Sequence, residues 1–100
     1  MPTENAASHD SDVIAIASHR VADYATWRAV YDAGRDLRER MGVHGAEVFV
    51  DPQDANKVVV VTRFASVAKM QAFTGNPELA EAMRKGGAEL PRTIVVGVKP

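Results

Sequence analysis

The chain has 100 residues, 46% of them apolar and 25% charged, which suits one globular domain with a single core and leaves no room for a second. Acids and bases are interspersed around a net charge of −1, so no basic field exists to collect phosphates, and nucleic acid is not an expected partner. Cysteine is absent, which excludes disulfides, thiolate nucleophiles and cysteine-ligated metals and fits a reducing cytoplasm.

Residues 1–12 (MPTENAASHDSD) have almost nothing to bury and read as a disordered tail, leaving 13–100 as the domain. The tail is polar and acidic where a secretory signal would be basic and then apolar. No run elsewhere approaches membrane-spanning length, so a soluble, cytoplasmic protein with no membrane partner is expected. Residues 13–20 (VIAIASHR) are rich in β-branched side chains and read as a strand. Ile14, Ile16 and Ser18 share one face; Val13, Ala15, Ala17 and His19 share the other, where the alanines leave space for something large opposite.

Residues 21–41 carry the clearest period in the chain. Tyr24, Trp27, Tyr31, Gly34, Leu37 and Met41 recur at three- and four-residue steps, with Val30 alongside, which predicts one amphipathic helix. Arg28, Asp32, Arg35, Asp36, Glu39 and Arg40 fall on its other side. Asp23 is placed to cap the start, and Gly42 to take the left-handed conformation after the end.

Residues 43–51 (VHGAEVFVD) read as a second strand, with His44, Ala46, Val48 and Val50 on one side and Glu47 and Phe49 on the other. The turn-formers of 51–56 then predict a hairpin into a third strand, 57–64 (KVVVVTRF). Ser66 suits the cap of a helix with Val67, Met70 and Phe73 on one side. Gly75 interrupts it, Asn76 and Pro77 restart it, Leu79, Ala82 and Met83 form its next stripe, and Gly86 and Gly87 end it. Residues 93–99 (TIVVGVK), after Pro91, read as the last strand.

The order βαββαβ predicts a ferredoxin-like α+β fold. Right-handed crossovers give a four-stranded antiparallel sheet of order 4-1-3-2 with the helices on one face. The first and third strands are apolar on both faces, and two helical segments cover only one. A homodimer packed sheet against sheet is therefore expected.

The segments HRVADYATWRAVYDAGRDLRERMGV, VVVVTRF, FTGNPELAEAM and PRTIVVG, in that order, resemble small proteins of the dimeric α+β barrel superfamily, those grouped with antibiotic biosynthesis monooxygenases above all. The resemblance implies two ferredoxin-like subunits that join their sheets into a barrel, each with a cavity between sheet and helices. It also implies, for some members, oxidation of polycyclic phenols to quinones without flavin, metal or haem, so no cofactor is expected. Other members act as polyketide cyclases, degrade haem or have no known activity.

His19 is the leading candidate for chemistry, because it shares a strand face with Ala15 and Ala17 and titrates near neutral pH. If that face meets the first helix, Tyr24, Trp27 and Tyr31 would wall a pocket for a small aromatic ligand. The alternative for His19 is a hydrogen-bonded histidine at a strand end. His44 is either a second acid or base in the pocket or a surface residue. Arg63 interrupts an apolar strand, so it either orients an anionic ligand or pairs with an acid such as Glu47 at the subunit interface. A metal would need three or four converging ligands, and no close-spaced set exists. These readings converge on a small-molecule-binding barrel acting as a cofactor-independent monooxygenase, with a non-catalytic dimerisation or ligand-sensing module and a polyketide-cyclase-like enzyme as alternatives.

Overall fold

The structure, a computed structural model, describes residues 12–89 and 92–100. The expected tail, apart from Asp12, and Pro91 lie outside the described residues. In chain order the elements are β1 (Val13–Arg20), α1 (Tyr24–Ala33), α2 (Arg35–Arg40), β2 (Val43–Asp51), β3 (Asp54–Phe64), α3 (Val67–Thr74), α4 (Pro77–Lys85) and β4 (Thr93–Val98). The strands form one antiparallel sheet of order β2-β3-β1-β4, the expected arrangement with β1 and β3 central.

Register decides which side chains share a face. Val13, Ala15, Ala17 and His19 of β1 pair with Phe64, Thr62, Val60 and Val58 of β3, and Val13, Ala15 and Ala17 also pair with Val98, Val96 and Ile94 of β4. Most of this face is buried at β1 and β3, and here the helices pack. The opposite face carries Ile14, Ile16, Val59 and Val61, with Phe49 and Val95 beside them at 53% and 59% exposure.

Two boundaries differ from the sequence reading. The helix expected over 21–41 starts at Tyr24, directly after the expected Asp23 cap, but divides at Gly34. Val21 instead makes a bridge to Ala88 and donates its N–H to the Asn56 carbonyl at 2.8 Å, while the Asn56 side-chain oxygen accepts from Tyr24 N–H at 2.9 Å. Those bonds tie the helix start to β3, so the chain stays extended until Asp23 caps the first turn by accepting from Thr26 N–H. At the division, the Tyr31 carbonyl accepts from Gly34 N–H at 3.0 Å and from the Arg38 guanidinium at 2.7 Å. A side chain thus satisfies a carbonyl at an interrupted turn. The second difference is that β3 starts at Asp54, three residues ahead of Lys57, because the turn is confined to Pro52 and Gln53 and Asp54 pairs with Arg20.

The remaining helix signals act as read. Ser66 accepts from Lys69 N–H, Asn76 accepts from Glu78 N–H, and Pro77 occupies the first turn of α4. Gly42 and Gly87 take φ of +78° and +76°, a region that side chains with a Cβ rarely enter. Among the described residues no helix is long and apolar enough to cross a membrane.

The core falls into two clusters. One gathers Val13, Ala15, Leu37, Phe64, Met70 and Phe73; the other gathers Val21, Trp27 and Val58, with Tyr24, Tyr31, Val48 and Val60 against it.

Candidate functional site

Between the two clusters lies a partly enclosed cavity of about 120 Å³. Its sheet wall is Ala15, Ala17 and His19 of β1 with Val60, Thr62 and Phe64 of β3. Trp27, Val30, Tyr31, Leu37 and Arg38 face them from α1 and α2, and Phe73, Leu79, Met83, Arg92 and Ile94 contribute to the remaining lining. The space exists because β1 places alanines at two successive positions of its helix-facing side. Protein interiors are otherwise packed at crystal density, so larger residues there would fill it.

The aromatic wall is ordered by α1. Trp27 stacks on Tyr31 with ring centroids 5.0 Å apart and an interplanar angle of 22°. His19 meets the Trp27 ring edge-on at 6.1 Å. Beyond Tyr31, the Arg38 guanidinium lies over the ring at 3.9 Å from its centroid, a cation–π contact reinforced by the bond to the Tyr31 carbonyl. Gly86, at the end of α4, permits this packing: a Cβ there would stand 3.2 Å from Trp27 Cδ1.

His19 is only 7% exposed, yet neither of its ring nitrogens has a hydrogen-bond partner among the described residues, and the buried Tyr31 hydroxyl also lacks one. Leaving such a group unsatisfied costs about 1–3 kcal/mol, and native proteins show few of them. Among the described residues His19 therefore lacks the partner that a hydrogen-bonded strand-end histidine would have. Burial, and secondarily the charge of Arg92, lower the His19 pKa, so the imidazole is neutral and offers one N–H donor and one free lone pair. Burial raises the Tyr31 pKa, with Arg38 and Arg28 opposing, which keeps the phenol protonated and able to donate. Two proton-carrying groups of different character thus occupy one apolar cavity.

Of the residues singled out from sequence, His19, Trp27 and Tyr31 come together here. Tyr24 does not line the cavity; it packs against Trp27 at 6.0 Å, and its hydroxyl accepts a long bond from Arg28. His44 is exposed and does not line the cavity: pairing steps from Val43 to Gly45 opposite Phe64 and Arg63, a bulge that takes His44 out of the ladder register. Arg63 lies on the opposite face of the sheet, where it donates to Glu47 at 3.0 Å, so it has the acidic partner considered for it and is not in the cavity. The sequence reading missed Arg38 and Arg92. Among the described residues no three His, Asp or Glu side chains converge as metal ligands.

These features define a class: a ferredoxin-like α+β domain whose helices and sheet enclose an apolar, polar-tipped cavity. The chain belongs to the antibiotic biosynthesis monooxygenase family, whose model matches residues 15–85. Solved structures share the fold. A Bordetella bronchiseptica protein described as a candidate antibiotic biosynthesis monooxygenase superposes with a TM-score of 0.74 at 20% identity, covering 88% of this chain and 96% of that one. SnoaB, a cofactor-independent oxygenase from Streptomyces nogalater, gives 0.70 at 13% identity over 90% and 96% of the two chains. The Streptomyces coelicolor monooxygenase from ActVA-Orf6, solved with the ligand Nanaomycin D, gives 0.64 at 18% identity over 91% and 89%. The search of curated proteins found no match.

Proposed function

We propose that the cavity binds a small, largely apolar aromatic molecule bearing a hydroxyl, and that the protein oxidises it with molecular oxygen without a cofactor. The observation that carries this reading is the pair of polar groups, His19 and Tyr31, buried in a largely apolar cavity without hydrogen-bond partners among the described residues. A phenolic ligand would supply what both lack. Neutral His19 would accept the phenolic proton, and Tyr31 would donate to the developing phenolate or to a second ring oxygen. The phenolate is electron-rich at its para carbon, where oxygen then adds. In the balanced reaction a ring C–H becomes C=O and a quinone forms. One atom of O₂ enters the ring and the other leaves as water with the two hydrogens lost by the substrate. SnoaB and the ActVA-Orf6 enzyme, which have this fold, support the choice of chemistry by analogy.

The reading includes a homodimer joined through the open sheet face, where Phe49 and Val95 are more than half exposed beside Ile16, Val59 and Val61. An apolar sheet face of this kind favours a second sheet as its cover.

Titration with hydroxylated aromatics, followed by Trp27 fluorescence and oxygen consumption on wild type and His19→Ala, tests the function. The expected result is quenching in both proteins and oxygen uptake in wild type alone. Quenching without uptake would leave a ligand-sensing module, ring closure without oxygen a cyclase, and no quenching by any hydroxylated aromatic would remove the pocket reading. Uptake unaffected by His19→Ala would remove His19 from the reaction.

A further inference from the structure

The ion pairs of this protein divide its arginines into two groups. Every arginine of the described residues except Arg38 and Arg92 sits in an ion pair with a carboxylate. Those two exceptions are the arginines that line the cavity. Each is held in place by something other than an acid. Arg38 lies over the Tyr31 ring and donates once to its carbonyl, while Arg92 donates to the Met83 sulfur at 2.8 Å. A guanidinium has five N–H donors, so each retains most of its capacity. The Arg92 charge also reaches His19, where it disfavours the imidazolium. The cavity is thus largely apolar in its walls, and among the described residues no carboxylate pairs with its two arginines.

Size narrows the occupant further. The volume of about 120 Å³ is close to that of an engineered apolar cavity of roughly 150 Å³ known to take benzene. It accommodates one six-membered ring, and a second fused ring would extend through the open side.

Resting on the functional reading above and deepening it, we infer that the ligand is a hydroxylated single-ring arene bearing a carboxylate, with the ring in the cavity against Trp27 and the carboxylate held by Arg92 and Arg38. A planar guanidinium matches a planar carboxylate and can donate to both of its oxygens. The hydroxyl then meets His19, and the guanidinium groups fix the ring's orientation. Carboxylate pairing and proton transfer at His19 together select the ring position presented to oxygen.

The test is calorimetric binding of 3-hydroxybenzoate, its methyl ester and 1-hydroxynaphthalene to wild type, Arg92→Met, Arg38→Met and Arg92→Lys. In wild type the acid is expected to bind about tenfold or more tightly than the ester, the low end for a charge-assisted hydrogen bond. Both methionine variants should lose most of that preference while weakening the ester far less, and Arg92→Lys should restore part of it. Because Arg38 also supports the Tyr31 carbonyl, ester binding by Arg38→Met reports that the cavity is still formed. Equal binding of acid and ester by wild type would overturn the inference, as would a preference that survives in both methionine variants. Binding of the naphthalene alone would also overturn it while leaving the proposed function intact, and binding of none of the three would remove both.

Discussion

At the scale of single residues, His19 links the cavity to pH. Its ordinary pKa is 6.5, and burial, then the Arg92 charge, lower it in the fold. The unfolded chain therefore binds a proton near pH 6.5 that the folded chain accepts only at lower pH, and the sign follows. This contribution to stability is complete above about pH 6.5 and is lost as pH falls toward the folded value. Urea unfolding at about pH 7.5 and about pH 5.5 should show a larger fall for wild type than for His19→Gln, whose side chain does not titrate. Equal falls would mean that the fold does not perturb His19. The carboxyls of Asp23, Asp54 and Glu81 are also lowered, so they titrate below this window. Period alone made His19, Trp27 and Tyr31 legible, since each falls on the apolar side of its element. Arg38 carried a signal that was not read. The residues four before and four after it are Gly34 and Gly42, whereas Arg28, Arg35 and Arg40 each have an acid at that spacing. Arg92 precedes the last strand with no periodic neighbour to reveal it, and only the tertiary fold brings it to His19.

At the scale of elements, the sequence outlined every strand and helix, and its errors fell where side chains from elsewhere intervene. The division at Gly34 escaped the periodicity because Gly34 has φ −83° and ψ 8°, close enough to helical that Leu37 and Met41 keep their phase across it. The bonds that hold the chain extended up to the Asp23 cap come from Asn56, more than thirty positions away, and no local pattern encodes that contact. The terminus of α4 is a different case. Two glycines there read as a helix stop, and Gly87 serves that role with its positive φ, but Gly86 has an ordinary φ and is required by the ring beside it. Gly86→Ala would press on Trp27 and push the indole out of its contacts with Tyr24, Tyr31 and His19. We expect a loss of about 1–3 kcal/mol, typical of overpacking, with a shifted Trp27 emission. A urea midpoint unchanged by the substitution would show that the indole can move aside.

At the scale of the whole molecule, strands apolar on both faces were the legible sign of a second layer, and the structure places helices over one face only. Val61 lies on the open face, paired with Ile16 on one side and Glu47 on the other. Val61→Glu should convert the proposed dimer to a monomer in size-exclusion light scattering, with an interface of about 1,200 Å² or more at stake. A wild-type monomer at micromolar concentration would contradict the dimer. The cavity has a consequence of its own at this scale. Its lining comes from β1, α1, α2, β3, α3, α4 and β4, every element except β2, so no fragment of the chain holds a binding site before the rest has assembled around it. Occupancy and global unfolding are therefore thermodynamically linked. A ligand at a hundred times its dissociation constant adds about 2.7 kcal/mol, whatever it is and whether or not it reacts, and in a domain of this length that raises the melting temperature by roughly 10 °C or more.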